Sequence, residues 1–149
     1  MATQWTAGTT SGQVLSAGTL NTIGAVWETY TPTLVQGVAV SKTTVVARYC
    51  QFQKTVIVNI MLNPTSTGTI GSALTVGLPI AARANNNQIV GSGFIYDNSP
   101  QFTYNVSAYL SSTTTFAGLY QGGSPWGGSP NLAIASGDQI QFMITYEVA

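Results

Sequence analysis

The segment Lys54-Thr55-Val56-Ile57-Val58-Asn59-Ile60-Met61-Leu62 decides the fold class. Val56, Val58, Ile60 and Leu62 recur at every second residue, the period of a β-strand whose successive side chains point to opposite faces. Ile57 and Met61 make the other face partly apolar as well. A strand apolar on both sides is covered on both sides, by a second sheet or by another subunit. The closing stretch repeats the period more cleanly. Ile140, Phe142, Ile144, Tyr146 and Val148 face one way, Gln141, Thr145 and Glu147 the other, and Met143 interrupts the polar side.

Further strands follow the same logic outward along the chain. Residues 28–35, 43–52, 73–78, 88–96, 102–110, 114–120 and 131–134 are rich in Val, Ile, Thr, Tyr and Phe. Breakers separate them: Asn63-Pro64, Asn85-Asn86-Asn87, Asn98-Ser99-Pro100, Ser111-Ser112, the run 122–130 and Ser136-Gly137-Asp138. Short strands with frequent turns indicate an all-β jelly roll or β-sandwich of about eight antiparallel strands. Pro32 falls inside the first segment and places it at a sheet edge.

Residues 1–26 differ from the rest. Thr, Gly, Ser and Ala dominate, and Val14, Leu15, Leu20 and Ile23 are spaced irregularly. Ser16 is placed to cap a short helix over 17–23, with Gly24 as its stop. So short a helix is marginal alone, so its apolar residues must pack on something. Two readings stand: a segment packed on its own domain, or an extended arm that docks on a neighbour. The domain division is therefore an arm at 1–26 and a β-domain at 27–149.

Composition narrows the function. The 149 residues include four Lys/Arg, four Asp/Glu and no His. Charged residues are 5% of the chain, against roughly 25% in an ordinary domain. No basic field exists to hold a phosphate backbone, so nucleic acid is not an expected partner. Apolar residues at 44% set the chain apart from disordered polymers. A nearly uncharged surface at zero net charge associates readily. That favours an assembly subunit over a freely diffusing monomer.

Candidate chemistry is sparse. The carboxylates are Glu28, Asp97, Asp138 and Glu147. Asp97 and Asp138 sit in turn sequences, where such side chains bond nearby backbone N–H groups. No nucleophile–base pair stands out, so no enzyme is expected and no catalytic residue is assigned. Cys50 is alone, lies among apolar residues, and reads as a core side chain. Without His and with one Cys there is no zinc or copper set, and no calcium-loop pattern occurs, so no metal or cofactor is expected. Gly91-Ser92-Gly93 lacks the context of a nucleotide loop and reads as a bulge or a close approach of chains. Apolar runs fall far short of the roughly 20 residues needed to span a bilayer. The opening residues show neither the basic nor the apolar region of a secretory leader, and the expectation is synthesis in the cytosol without a membrane partner.

Two aromatic features and the cations remain. The loop Gly122-Gly123-Ser124-Pro125-Trp126-Gly127-Gly128-Ser129-Pro130 repeats GGSP around Trp126. Either its own Trp pins it to the sandwich, or Trp126 and nearby Tyr120 form a surface or intersubunit contact, to a neighbour or to a sugar. Lys42 and Lys54 lie at strand starts, where they discourage edge pairing. Arg48 is mid-strand and, if buried, calls for Glu28 or Glu147.

Several stretches resemble one family. Gly12-Gln13-Val14-Leu15-Ser16-Ala17-Gly18-Thr19-Leu20-Asn21-Thr22-Ile23 is similar to a lead-in found in many tailed-phage virion proteins. Trp27-Glu28-Thr29-Tyr30-Thr31-Pro32-Thr33-Leu34 resembles the opening of their β-domain, and Ala47-Arg48-Tyr49-Cys50-Gln51-Phe52-Gln53-Lys54-Thr55-Val56 one of its strands. Phe52-Gln53 stands where the family has Ile-Gly, and Leu78-Pro79 also fits. The likeness covers residues 12–79. It implies a tumour-necrosis-factor-like jelly roll that forms homotrimers, an arm attached to the virion, and no catalytic residues. It implies a capsid decoration (cement), head-fibre or tail-fibre protein, made in the host cytoplasm and located in the virion. With one β-domain and a short arm, the economical expectation is a trimeric cement protein whose Val14, Leu15, Leu20 and Ile23 dock on the major capsid protein or another virion protein. The alternative is a fibre tip that binds a host-surface glycan.

Overall fold

The computed structural model describes residues 26–84, 87–120 and 123–149. The expected arm, its helix over 17–23, and docking residues Val14, Leu15, Leu20 and Ile23 lie outside the described residues. Among the described residues there are eleven strands: β1 (Glu28–Thr29), β2 (Leu34–Gln36), β3 (Val38–Ala39), β4 (Lys42–Phe52), β5 (Thr55–Pro64), β6 (Thr75–Gly77), β7 (Ile89–Asp97), β8 (Phe102–Leu110), β9 (Thr115–Tyr120), β10 (Ser124–Pro125) and β11 (Gln139–Glu147). Every pairing is antiparallel. No helix occurs among the described residues. The all-β reading therefore holds, as a curled antiparallel sheet consistent with a sandwich.

The strand order is β1-β4-β5-β11-β7-β8-β9-β6-β2-β3, with β10 on β9. β1 and β2 are near opposite ends of that order yet are joined by residues 30–33. The Tyr30 N–H donates to the Ala47 carbonyl on β4, and the Gly77 N–H on β6 donates to the Thr33 carbonyl. Three extended residues reach at most about 11 Å, close to the ~10 Å between packed sheets. The sheet is thus folded over so that its two ends face each other. This corrects the single strand expected at 28–35. Pro32 is buried in the link that crosses between the two halves, because proline cannot donate to a ladder. β1, just before it, does lie at the sheet end.

Central strands follow the sequence closely, and β5 shows the alternation best. Val56, Val58, Ile60 and Leu62 are 0% exposed, while Ile57 and Met61 are half-buried. Ile140, Phe142, Ile144 and Tyr146 on β11 join the same core, with Ile95, Val106, Leu110, Phe116, Trp126 and Ile134. Each such large side chain contributes roughly 1.5–3 kcal/mol on burial. Gly91 and Gly93 take both roles expected of them. The β7–β8 register shifts between Ile89 and Gly91. A methyl group at Gly93 would collide with the Gln141 carbonyl oxygen and the Phe142 ring.

Three expectations are corrected. Residues 131–134 form no strand. Instead Ile134 is buried and its N–H donates to the side chain of Gln36 at 2.8 Å. Two-residue strands β3 and β10 were not legible, and β10 lies inside the Gly/Pro loop where regular structure was not expected.

Candidate functional site

Sequence reasoning singled out Trp126, and the structure decides between its two readings. Trp126 is 0% exposed. Its N–H donates to the Gly118 carbonyl at 2.8 Å, and its carbonyl accepts from the Leu74 N–H at 3.0 Å. Its ring meets Tyr104 edge-on, with centroids 5.9 Å apart. The loop is pinned by its own Trp. The surface-contact reading of Trp126 is thereby corrected: a ring buried in its own chain offers nothing to a sugar or a neighbour. The Trp126 indole N–H has no hydrogen-bond partner.

Gln36 is the feature that sequence reasoning missed. It is 0% exposed and satisfied on both ends of its amide. Nε2 donates to the Ser72 carbonyl at 3.1 Å and the Leu132 carbonyl at 2.8 Å, and Oε1 accepts from Ile134 N–H. A Cβ at Gly68 or Gly127 would strike this amide, so both glycines are required by close approach. The available signal was parity: Gln36 is two residues from buried Leu34 and shares its face.

The carboxylates are structural. Asp138 accepts from the Asn98 N–H at 2.9 Å and the Ala135 N–H at 2.7 Å. Asp97 accepts from the Ser99 N–H at 3.1 Å. Both are buried. Burial pushes the Asp138 carboxyl above its usual range, against the pull of its two backbone donors. These are the turn roles anticipated for Asp97 and Asp138. Glu147 pairs with Arg83 at 3.0 Å, with both side chains mostly exposed, so the pair contributes little. Glu28 accepts from the Tyr49 hydroxyl at 2.8 Å. Arg48 is exposed and stacks 4.9 Å from the Trp27 ring centre, so it needs no carboxylate. Cys50 is buried and burial pushes its thiol upward. No group of three or more His, Cys, Asp or Glu among the described residues could hold a metal.

What remains is surface, and the outer face of the central strands is its most unusual part. Register aligns two outward rows. One runs Val46, Met61, Gln141, Phe94, Asn105; the other runs Arg48, Asn59, Met143, Ser92, Ser107, Leu119. Eleven positions hold one charge, Arg48. Ordinary antiparallel sheets put charged and polar residues on the solvated face. Here Met143 is 61% exposed and the neighbouring Val45 49%. Val46, Met61 and Phe94 are half-buried on the same face. Tyr120, the other residue singled out with Trp126, is half-buried on the opposite side of β9, packed against the core beside Tyr104 with ring centroids 5.2 Å apart.

No family model, curated protein or solved structure matches the chain.

Proposed function

We propose that the chain is a non-enzymatic structural subunit of a tailed-phage virion: a trimeric capsid decoration protein that docks on the assembled shell and stabilises it. The observation that carries this reading is the outer face of β4, β5 and β11, where Val45, Val46, Ile57, Met61 and Met143 lie with almost no charge among them. Such a face gains about 25 cal/mol for each Å² of apolar surface a neighbour covers, before association costs. The sequence resemblance over residues 12–79 supports the virion setting and the jelly-roll, threefold form. In this proposal the arm at 1–26 contacts the major capsid protein or another virion protein through Val14, Leu15, Leu20 and Ile23. Binding only the assembled shell favours it over loosened states by mass action.

The test is native mass of the full chain and of a chain lacking residues 2–26. The expected result is a trimer in both, which places association in the β-domain and leaves the arm for docking. A monomer in both would overturn the assembly reading. The fibre-tip alternative is weakened, because buried Trp126 was its strongest sugar-stacking residue.

A further inference from the structure

The folded-over sheet has a second outer face. Inner side chains of β9 meet those of β11, as in the Phe116–Phe142 ring pair at 5.1 Å. The outer sides of β9 and β11 therefore point away from each other. Register aligns one outward row across six strands on the β9 side: Ala39, Val35, Thr75, Ala117, Tyr109 and Ile89. Parity fixes its direction. Leu34 and Gln36 flank Val35, and Ala108 and Leu110 flank Tyr109; all four are buried, so Val35 and Tyr109 point outward.

All of the row but Thr75 is aliphatic or aromatic, and none of it is charged. Ile89 is 54% exposed and Val35 36%. The one charged residue on β2, β3, β6, β7, β8 and β9 is Asp97, and it is buried. The face carries both a projection and a recess. Ile89 stands out from it, and beside Tyr109 lies an open depression of ≈ 280 Å³ walled by Leu119 and Pro125. Such a recess accepts a branched aliphatic side chain. A surface that meets its own copy across a two-fold axis brings its charges toward their like; this face brings none. Its size sets the strength. Five strand spacings and three outward rows span about 24 by 20 Å. Two copies would together bury about 1,000 Å², the low end for a specific contact. That is too little for a dimer in dilute solution and suits a pairing that forms when copies are crowded.

We infer that the outer face of β3, β2, β6, β9, β8 and β7 is a second self-association surface, which seats on the same face of another copy across a two-fold axis, Ile89 of each entering the recess beside Tyr109 of the other. It lies opposite the β4–β5–β11 face and does not depend on the assembly reading. Contacts on both faces of one subunit link copies into an extended layer instead of a closed particle. Subunits held close together on one surface would then reinforce each other's attachment.

The experiment measures the mass of the full-length protein by small-angle scattering from roughly 10 μM to 1 mM, the range in which so small a contact forms. It is run on the wild type and on a chain carrying Met61→Lys and Met143→Lys, which charges the opposite face. The expected result is a reversible doubling of the low-concentration mass in both. Ile89→Lys should weaken the doubling about tenfold or more, by removing the projection and placing like charges in the contact. Should Ile89→Lys disturb folding, read by circular dichroism, Val35→Lys gives the second arm, because Val35 is exposed at the other end of the row. A mass that stays flat over the whole range overturns the surface. So does a doubling that persists unchanged in the folded variants. The mass at low concentration shows separately whether the assembly reading stands: a wild-type monomer there removes the trimer and leaves the doubling to be judged alone.

Discussion

β5 and β11 carry two faces that obey different rules. On the inner face Val56, Val58, Ile60, Leu62, Ile140, Phe142 and Ile144 are all but fully buried. On the outer face Ile57 and Met61 are half-buried, and Met143 is 61% exposed. The residue types are similar; the coverage is not. The inner face is completed within one chain, and the outer face is apolar without being completed. In this account stability is set on one side of the sheet and association on the other.

The comparison is broken most severely from inside. Phe142 packs edge-on against Phe116 at 5.1 Å and lies over Gly93 and Gly118. Phe142→Ala should cost about 3–5 kcal/mol, read as a drop in the denaturation midpoint at constant slope. An unchanged midpoint would show that the inner face is not a packed core. Gln36→Leu comes next. It keeps the volume roughly constant but strands the Ile134 N–H and two carbonyls, each unsatisfied buried group costing about 1–3 kcal/mol. If the Leu variant matched the wild type, the amide would be replaceable by plain apolar packing, and the inner face would need no polar exception.

Smaller effects sharpen the same contrast. Asp138→Asn turns an amide N–H₂ toward one of two backbone donors, Asn98 or Ala135. The expected loss is about 1–3 kcal/mol at neutral pH, measured by denaturant titration. The Asp138 carboxyl sits above its usual range. The folded state therefore holds its proton more tightly than the unfolded chain. This group's contribution to stability is greatest in acid and declines as pH rises through its folded value. Alkaline titration tests the core phenols. Burial raises Tyr30 and Tyr146 well above the ordinary 10.0. Tyr146 donates to the Ile80 carbonyl at 2.7 Å. Their contribution is intact below pH 10.0 and falls as pH rises beyond it. Unfolding above that pH should coincide with their ionisation in the ultraviolet spectrum. Early ionisation in a folded protein would contradict their burial.

The two faces also differ in how legible they were. Strict period-two alternation marks a half-buried strand, so residues 54–62, 102–110 and 140–148 lie within two residues of β5, β8 and β11 at each end. The turn roles of Asp97 and Asp138 were readable because each stands beside small turn residues. Gln36 was not, because an amide is ordinarily assigned to solvent, and only its parity with Leu34 placed it inside. The crossing at Pro32 was hidden for a different reason: local composition cannot say which strand a segment pairs with. Trp126 had two readings, and only tertiary burial separated them.

The outer face holds the central claim, and one measurement reaches it directly. Met61→Lys with Met143→Lys places two charges on the outward rows and leaves the inner face untouched. Both positions are at least partly exposed, so the fold should keep its thermal midpoint within a few degrees. Analytical ultracentrifugation of the wild type and the double variant is decisive. The account predicts a trimer for the wild type and a folded monomer for the variant. A monomeric wild type, or a variant that remains fully trimeric, would contradict it.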